Sequence, residues 1–146
     1  MKLLHIALLG AAFALTGCAA TGPSFADAEK AAVKLSPDQG RVYFYRNDNF
    51  VGGGVRPEIK LDGAVVGQST PGGYFVVDSK PGSHEASTST EVASRLTFVL
   101  DKGETKYVRT DVNMGLLVGH VVPSLIGEEQ AKKELVSLKN TSAGAK

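Results

Sequence analysis

The chain has 146 residues, 42% of them hydrophobic and 21% charged, and a net charge of +1. That length suits one domain of ordinary size. A balance so near neutral leaves no electrostatic footprint for nucleic acid, which would require a basic face.

The N-terminus reads differently from the rest. Met1-Lys2 gives a short positive start, and Leu3 to Leu15 is almost wholly apolar. This is the pattern of a secretory signal peptide, and the run is shorter than the ~20 residues a membrane-spanning helix needs. It ends in Leu15-Thr16-Gly17-Cys18, which holds the only cysteine of the chain. A branched apolar residue, two small residues and a cysteine resemble the lipobox of bacterial lipoproteins. The resemblance implies cleavage between Gly17 and Cys18 and a diacylglycerol on the Cys18 sulfur. In a Gram-negative cell it implies acylation of the new amino group as well. Ala19, in a place where aspartate would favour the inner membrane, implies an outer-membrane address with the domain facing the periplasm. Two or more acyl chains hold a protein to a bilayer where one gives only marginal binding. Lys2 is the only charge in 1–17, so the mature chain would balance 15 basic against 15 acidic residues. It would gain little from anionic lipid, and the acyl chains would do the anchoring.

Residues 18–40 are small, polar and alanine-rich, bracketed by Pro23 and Pro37. They are expected to form a lipidated tether of roughly 25 Å mean reach, with a short helix over Ala26–Leu35. From Arg41 the pattern becomes that of strands. RVYFYR is dense in aromatic and branched residues, and NDNFVGGG reads as a loop. Asp62-Gly63 between two apolar runs predicts a hairpin. Further turns are expected at Thr70–Gly73, Lys80–Gly82 and Asp101–Gly103, with YFVVDS, SHEASTSTE, RLTFVLD and ETKYVRTDV as strands between and after them. Period-two alternation puts Leu96, Phe98 and Leu100 on one face. Met114–Ile126 is apolar but interrupted by Gly115, Gly119, His120 and Pro123, which argues for a last strand and against a membrane span. Ala131, Leu135 and Leu138 recur at helical spacing near the end, with Glu128–Lys132 and Glu129–Lys133 as i,i+4 pairs. The expected architecture is all-β: a small antiparallel β-sandwich-like domain over 41–139, a short C-terminal helix, and a disordered tail over 140–146.

From about Arg41 to Lys139 the chain resembles a bacterial lipoprotein family built on a domain of unknown function numbered 2846. The cues are VYFYR, LDGAVVGQ, SKPGSHE and KYVR. The central part is also similar to PEGA-type β-modules, which share its turn–strand rhythm. These cues are turn and core signals. They imply a fold, and the family implies no catalytic residues.

No residue set stands out as a catalytic or metal centre. His84 follows a turn, with Ser83 and Glu85 on the other face of its strand, so the three cannot form a triad. It reads as a surface or rim histidine, and His120 as a hydrogen-bonded rim residue. Gly52–Gly54 lacks the lysine and helix of a phosphate loop, and Asn47-Asp48-Asn49 lacks the pattern of an EF-hand. Ser87–Thr90 reads as a solvated strand edge that could add a partner strand. Tyr43, Tyr45 and Tyr107, if exposed beside Arg46 and Arg109, would form a binding patch. No cofactor is expected. The expected role is a non-enzymatic envelope lipoprotein that meets another envelope protein or a cell-wall polymer. A structural or stress-related coating role is the alternative, and a hydrolase ranks third.

Overall fold

The computed structural model describes residues 20–49, 52–114 and 119–142. GRVYFY forms β1 (Gly40–Tyr45), almost every residue of which is buried. The remaining strands are β2 (Glu58–Leu61), β3 (Ala64–Gln68), β4 (Gly73–Ser79), β5 (Gly82–Ser89), β6 (Ala93–Leu100), β7 (Thr105–Asn113), β8 (His120–Ile126) and the two-residue β9 (Lys139–Asn140). Two helices flank them in sequence, α1 (Phe25–Lys30) and α2 (Glu128–Leu135). The strands make two sheets, ordered β8-β7-β1-β4-β9 and β3-β2-β5-β6. The second is wholly antiparallel, while in the first β1 pairs β7, and β4 pairs β9, in parallel. The all-β sandwich is therefore as expected, with one sheet of mixed direction.

The predicted turns divide into two kinds. Asp62 and Gly63 both take positive φ, +52° and +84°, as a two-residue primed turn requires, and they close the β2–β3 hairpin. Thr70–Gly73, Lys80–Gly82 and Asp101–Gly103 instead carry the chain from one sheet to the other. Both kinds use the same turn residues, so the sequence marks the turn without marking the crossing.

The two faces of β1 explain its composition. Val42 and Phe44 point between the sheets, into a core with Ile59, Leu61, Phe75 and Leu100. Tyr43 and Tyr45 point to the other side, where Tyr74, Tyr107, Ala131, Leu135 and Leu138 join them. Leu96, Phe98 and Leu100 share the inner face of β6, as the alternation predicts. The helices α1 and α2 therefore form a third layer over the first sheet. Fully burying a leucine such as Leu135 contributes about 1.5–3 kcal/mol. The exposed ion pairs Lys132–Glu128 and Lys133–Glu129 on the same helix are screened by solvent and contribute little beside it.

The segment expected to be a tether is part of this layer. Ser24 caps α1, its Oγ accepting from the Asp27 N–H at 3.2 Å. Phe25 then packs edge-on against Tyr74 and Tyr43, with ring centroids 5.5 and 6.4 Å apart. The packed domain thus begins well before Arg41, because the tyrosine face needs an apolar cover that Phe25 and Ala28 supply. At the other end, Asn140 lies in β9 and the Thr141 N–H bonds the Tyr74 carbonyl at 2.8 Å, so 140–142 belong to the fold and not to a tail. Among the described residues no helix is long and apolar enough to cross a membrane.

Candidate functional site

The expected tyrosine–arginine patch is not a surface. Tyr43, Tyr45 and Tyr107 are buried, and so is Arg46, at 3% exposure. Tyr43 and Tyr107 face each other across β1 and β7 and stack at 5.3 Å beneath the helices. The Tyr45 hydroxyl donates to Glu134 of α2 at 2.6 Å, and Arg109 Nη1 donates to the same carboxylate at 2.9 Å. Burial alone would raise the Glu134 carboxyl. The bonds from Tyr45 and Gln130 and the Arg109 charge outweigh it and hold it below the usual carboxylate range. These groups fasten α2 to the sheet. Arg46 sits inside the β1–β2 connection, donating to the Val55, Gly52 and Ser69 carbonyls at 2.6, 2.7 and 3.2 Å. A buried guanidinium is costly unless its donors are satisfied, and here loop carbonyls do it. The glycine triplet therefore presents a carbonyl to an arginine, the opposite polarity to a phosphate cradle.

His84 is not at the surface either. It is 7% exposed, held between two turns. Its Nδ1 meets Asp62 Oδ2 at 2.6 Å and its Nε2 meets the Lys80 carbonyl at 2.8 Å. Asp62 Oδ1 in turn accepts the Glu85 N–H at 2.9 Å. A carbonyl can only accept, so Nε2 must carry a proton, and the carboxylate best accepts a proton from Nδ1. The favoured species is an imidazolium against a carboxylate. Desolvation would lower the His84 pKa, but the bonds to Asp62 and Lys80 outweigh it and raise it. Asp62 is lowered: burial opposes ionisation, while the Glu85 N–H and His84 favour it more strongly. With both nitrogens occupied, His84 has none free to deprotonate a nucleophile. Two sequence cues, the Asp62-Gly63 turn and the histidine after Pro81-Gly82, thus meet in one clasp. They lie 22 residues apart, and only the β2–β5 pairing brings them together.

Other candidates fall into place around the sheets. His120 opens β8, with its Nδ1 3.5 Å from Thr90 Oγ1. Ser87 and Thr88 are not on a sheet edge, since β5 lies between β2 and β6. Gly17 and Cys18 lie outside the described residues. Among the described residues no group of three or more His, Cys, Asp or Glu side chains could hold a metal ion.

The sandwich is closed on one side and open on the other. On the closed side Thr88 Oγ1 of β5 donates to the Val121 carbonyl of β8, joining the sheets. On the open side lies a cleft of about 750 Å³. Residues 65–68 of β3 form one wall, Phe75 and Val76 the floor, and Ala20, Thr21, Thr141 and Ser142 the other wall. Arg56 and Glu58 stand at its mouth. Gly67 allows this shape, because a Cβ there would come within 2.5 Å of the Phe75 ring. Sequence reasoning missed the cleft because nothing local marks β3 as a sheet edge. A second, smaller hollow of about 450 Å³ lies on the second sheet, among Lys60, Ser87 and the Arg95–Glu85 ion pair.

A family model described as a protein of unknown function (DUF2846) matches residues 36–122. The chain is also similar to an uncharacterized protein of Haemophilus influenzae, 28% identical over 135 residues, which cover 90% of this chain and 80% of that one. No solved structure matches.

Proposed function

The chain belongs to the DUF2846 family, and from that premise we propose that it is a non-enzymatic binding module of the bacterial envelope. It is held by lipid on Cys18, on the outer membrane and facing the periplasm, and it meets another envelope protein at the cleft beside β3. The observation that carries this reading is the open side of the sandwich, where the β3 edge borders a cleft between the two sheets. The non-enzymatic part is supported by the His84 clasp, which ties up the imidazole a hydrolase would need. The anchor is supported by the Leu15–Cys18 motif. Ala20 lines the cleft and follows Cys18 by two residues, a reach of about 7 Å. A lipid at Cys18 would keep the cleft close to the membrane.

The test is in-cell photocrosslinking from two positions. A photoreactive residue at Gln68, in the cleft wall, is expected to link to one envelope protein. The same residue at Lys102, in the β6–β7 turn, is not. Equal linking from both positions, or none from Gln68, would refute the reading.

A further inference from the structure

The open side of the sandwich has a backbone pattern that says what the cleft accepts. β3 pairs with β2 alone, so its other edge ends the sheet. Across the tight Asp62-Gly63 turn, Leu61 and Ala64 form the hydrogen-bonded pair, and Lys60 opposite Val65 is the next, non-bonded pair. The Val65 N–H and C=O therefore point away from β2. A bulge follows between Ile59 and Lys60, and beyond it the Ser69 N–H bonds the Pro57 carbonyl at 2.9 Å. That makes Glu58 opposite Gln68 a second non-bonded pair, so the Gln68 N–H points outward as well. The Gln68 carbonyl accepts the Thr70 N–H at 3.0 Å, so among the described residues the outward groups left for a partner are the Val65 N–H and C=O and the Gln68 N–H. Across the cleft, β9 covers only Gly73 and Tyr74 of β4, and from Val76 on that edge too has no strand partner among the described residues.

Proteins usually blunt such an edge with lysine, proline or an inward charge. AVVGQ has none of these and Val65 is 54% exposed; its one blunting feature is the bulge at Val66, on either side of which Val65 and Gln68 still face outward. An edge with outward backbone groups beside a cleft is a template for another strand. An acyl chain offers no hydrogen bonds to such groups, and a glycan's hydroxyls have no strand repeat, whereas an extended polypeptide presents N–H and C=O groups at strand spacing.

We propose that β3 is a strand-addition site: the cleft takes an extended peptide segment of another polypeptide, paired backbone to backbone with Val65 and Gln68. This rests on the cleft being the binding site. A five-residue strand spans about 17 Å, so about five residues of the partner would be held. Alternate side chains would turn inward onto Val66 and Phe75, and so would be apolar. The others would face solvent.

Hydrogen exchange on the full mature chain in detergent, read by mass spectrometry, tests it. The probe is a soluble octapeptide alternating valine and threonine, with lysine at each end. A second peptide carries N-methyl groups on the amides of one edge. At tenfold excess over its dissociation constant the plain peptide is expected to slow exchange at Val65 and Gln68 about tenfold. The N-methylated peptide should not. Val65→Pro removes an outward N–H without touching the β2 ladder and should abolish the effect. Val65→Lys, which keeps the amide but charges the edge, should weaken it and serves if the proline variant misfolds. Equal slowing by both peptides would overturn strand addition while leaving the cleft as a side-chain binding site. No slowing, with Gln68 crosslinks in cells retained, would also overturn strand addition alone. Protection that rises with protein concentration in the absence of peptide would overturn it in favour of a second copy on the edge.

Discussion

Replacing His84 by glutamine should remove a pH dependence as well as some stability. His84 bridges Asp62 and the Lys80 carbonyl at 2.6 and 2.8 Å, and one glutamine amide cannot span both acceptors. Hydrogen bonds to charged groups contribute ~1.5–3 kcal/mol each. Asp62 is half exposed, with 49% of its side-chain surface accessible, so solvent screens that pair toward the low end. Losing one of the two bonds costs ~1.5–2 kcal/mol, which in a domain of this size lowers the melting temperature by roughly 6–8 °C. The folded pKa of His84 is raised above its ordinary value. Its contribution is therefore fully present below ~6.5 and is lost as pH rises through the raised folded value. Asp62 is lowered. Its contribution is present above ~3.9 and is lost as pH falls through the lowered folded value. The clasp is strongest between those limits. Urea unfolding of wild type and His84→Gln, from pH 4.5 to 9, would show the curves converging as pH rises above 6.5. Parallel curves across that range would refute the imidazolium assignment.

Three further substitutions probe separate parts of the fold. Phe25→Ala removes the ring that covers Tyr43 and Tyr74; it should cost ~2 kcal/mol and make residues 20–33 the first site of limited proteolysis. Gly67→Ala forces a methyl to within 2.5 Å of Phe75; a loss of ~1–3 kcal/mol is expected, partly relieved by Phe75→Leu in the same chain. Arg46→Met leaves the Val55, Ser69 and Gly52 carbonyls without their donor. It should cost ~3 kcal/mol or more in chemical denaturation, and Arg46→Lys should recover only part of it.

What the sequence made legible was local. The Asp62-Gly63 turn could be read because a primed turn needs two positive φ values, which few residue pairs accept. The inward face of β6 and the buried stripe of α2 followed from periodicity. Long-range pairing left no such mark. RVYFYR shows that β1 is rich in aromatics, but a strand buried on both faces and a strand with one exposed aromatic face look alike in sequence. Sequence therefore leaves open whether the tyrosines are exposed, and helices α1 and α2 cover them. The same gap hid the cleft and misplaced Ser87–Thr90. Which strand ends a sheet depends on sheet order, and three of the turns that punctuate the chain change sheets without a distinguishing residue.

The central claim is that this domain works from a lipid anchor at Cys18. Metabolic labelling with palmitate, followed by membrane flotation, compares the wild type with Cys18→Ala. The account predicts label and flotation with the outer membrane for the wild type, and an unlabelled, non-floating variant. A wild-type chain that takes up no label and stays in the soluble fraction would contradict it.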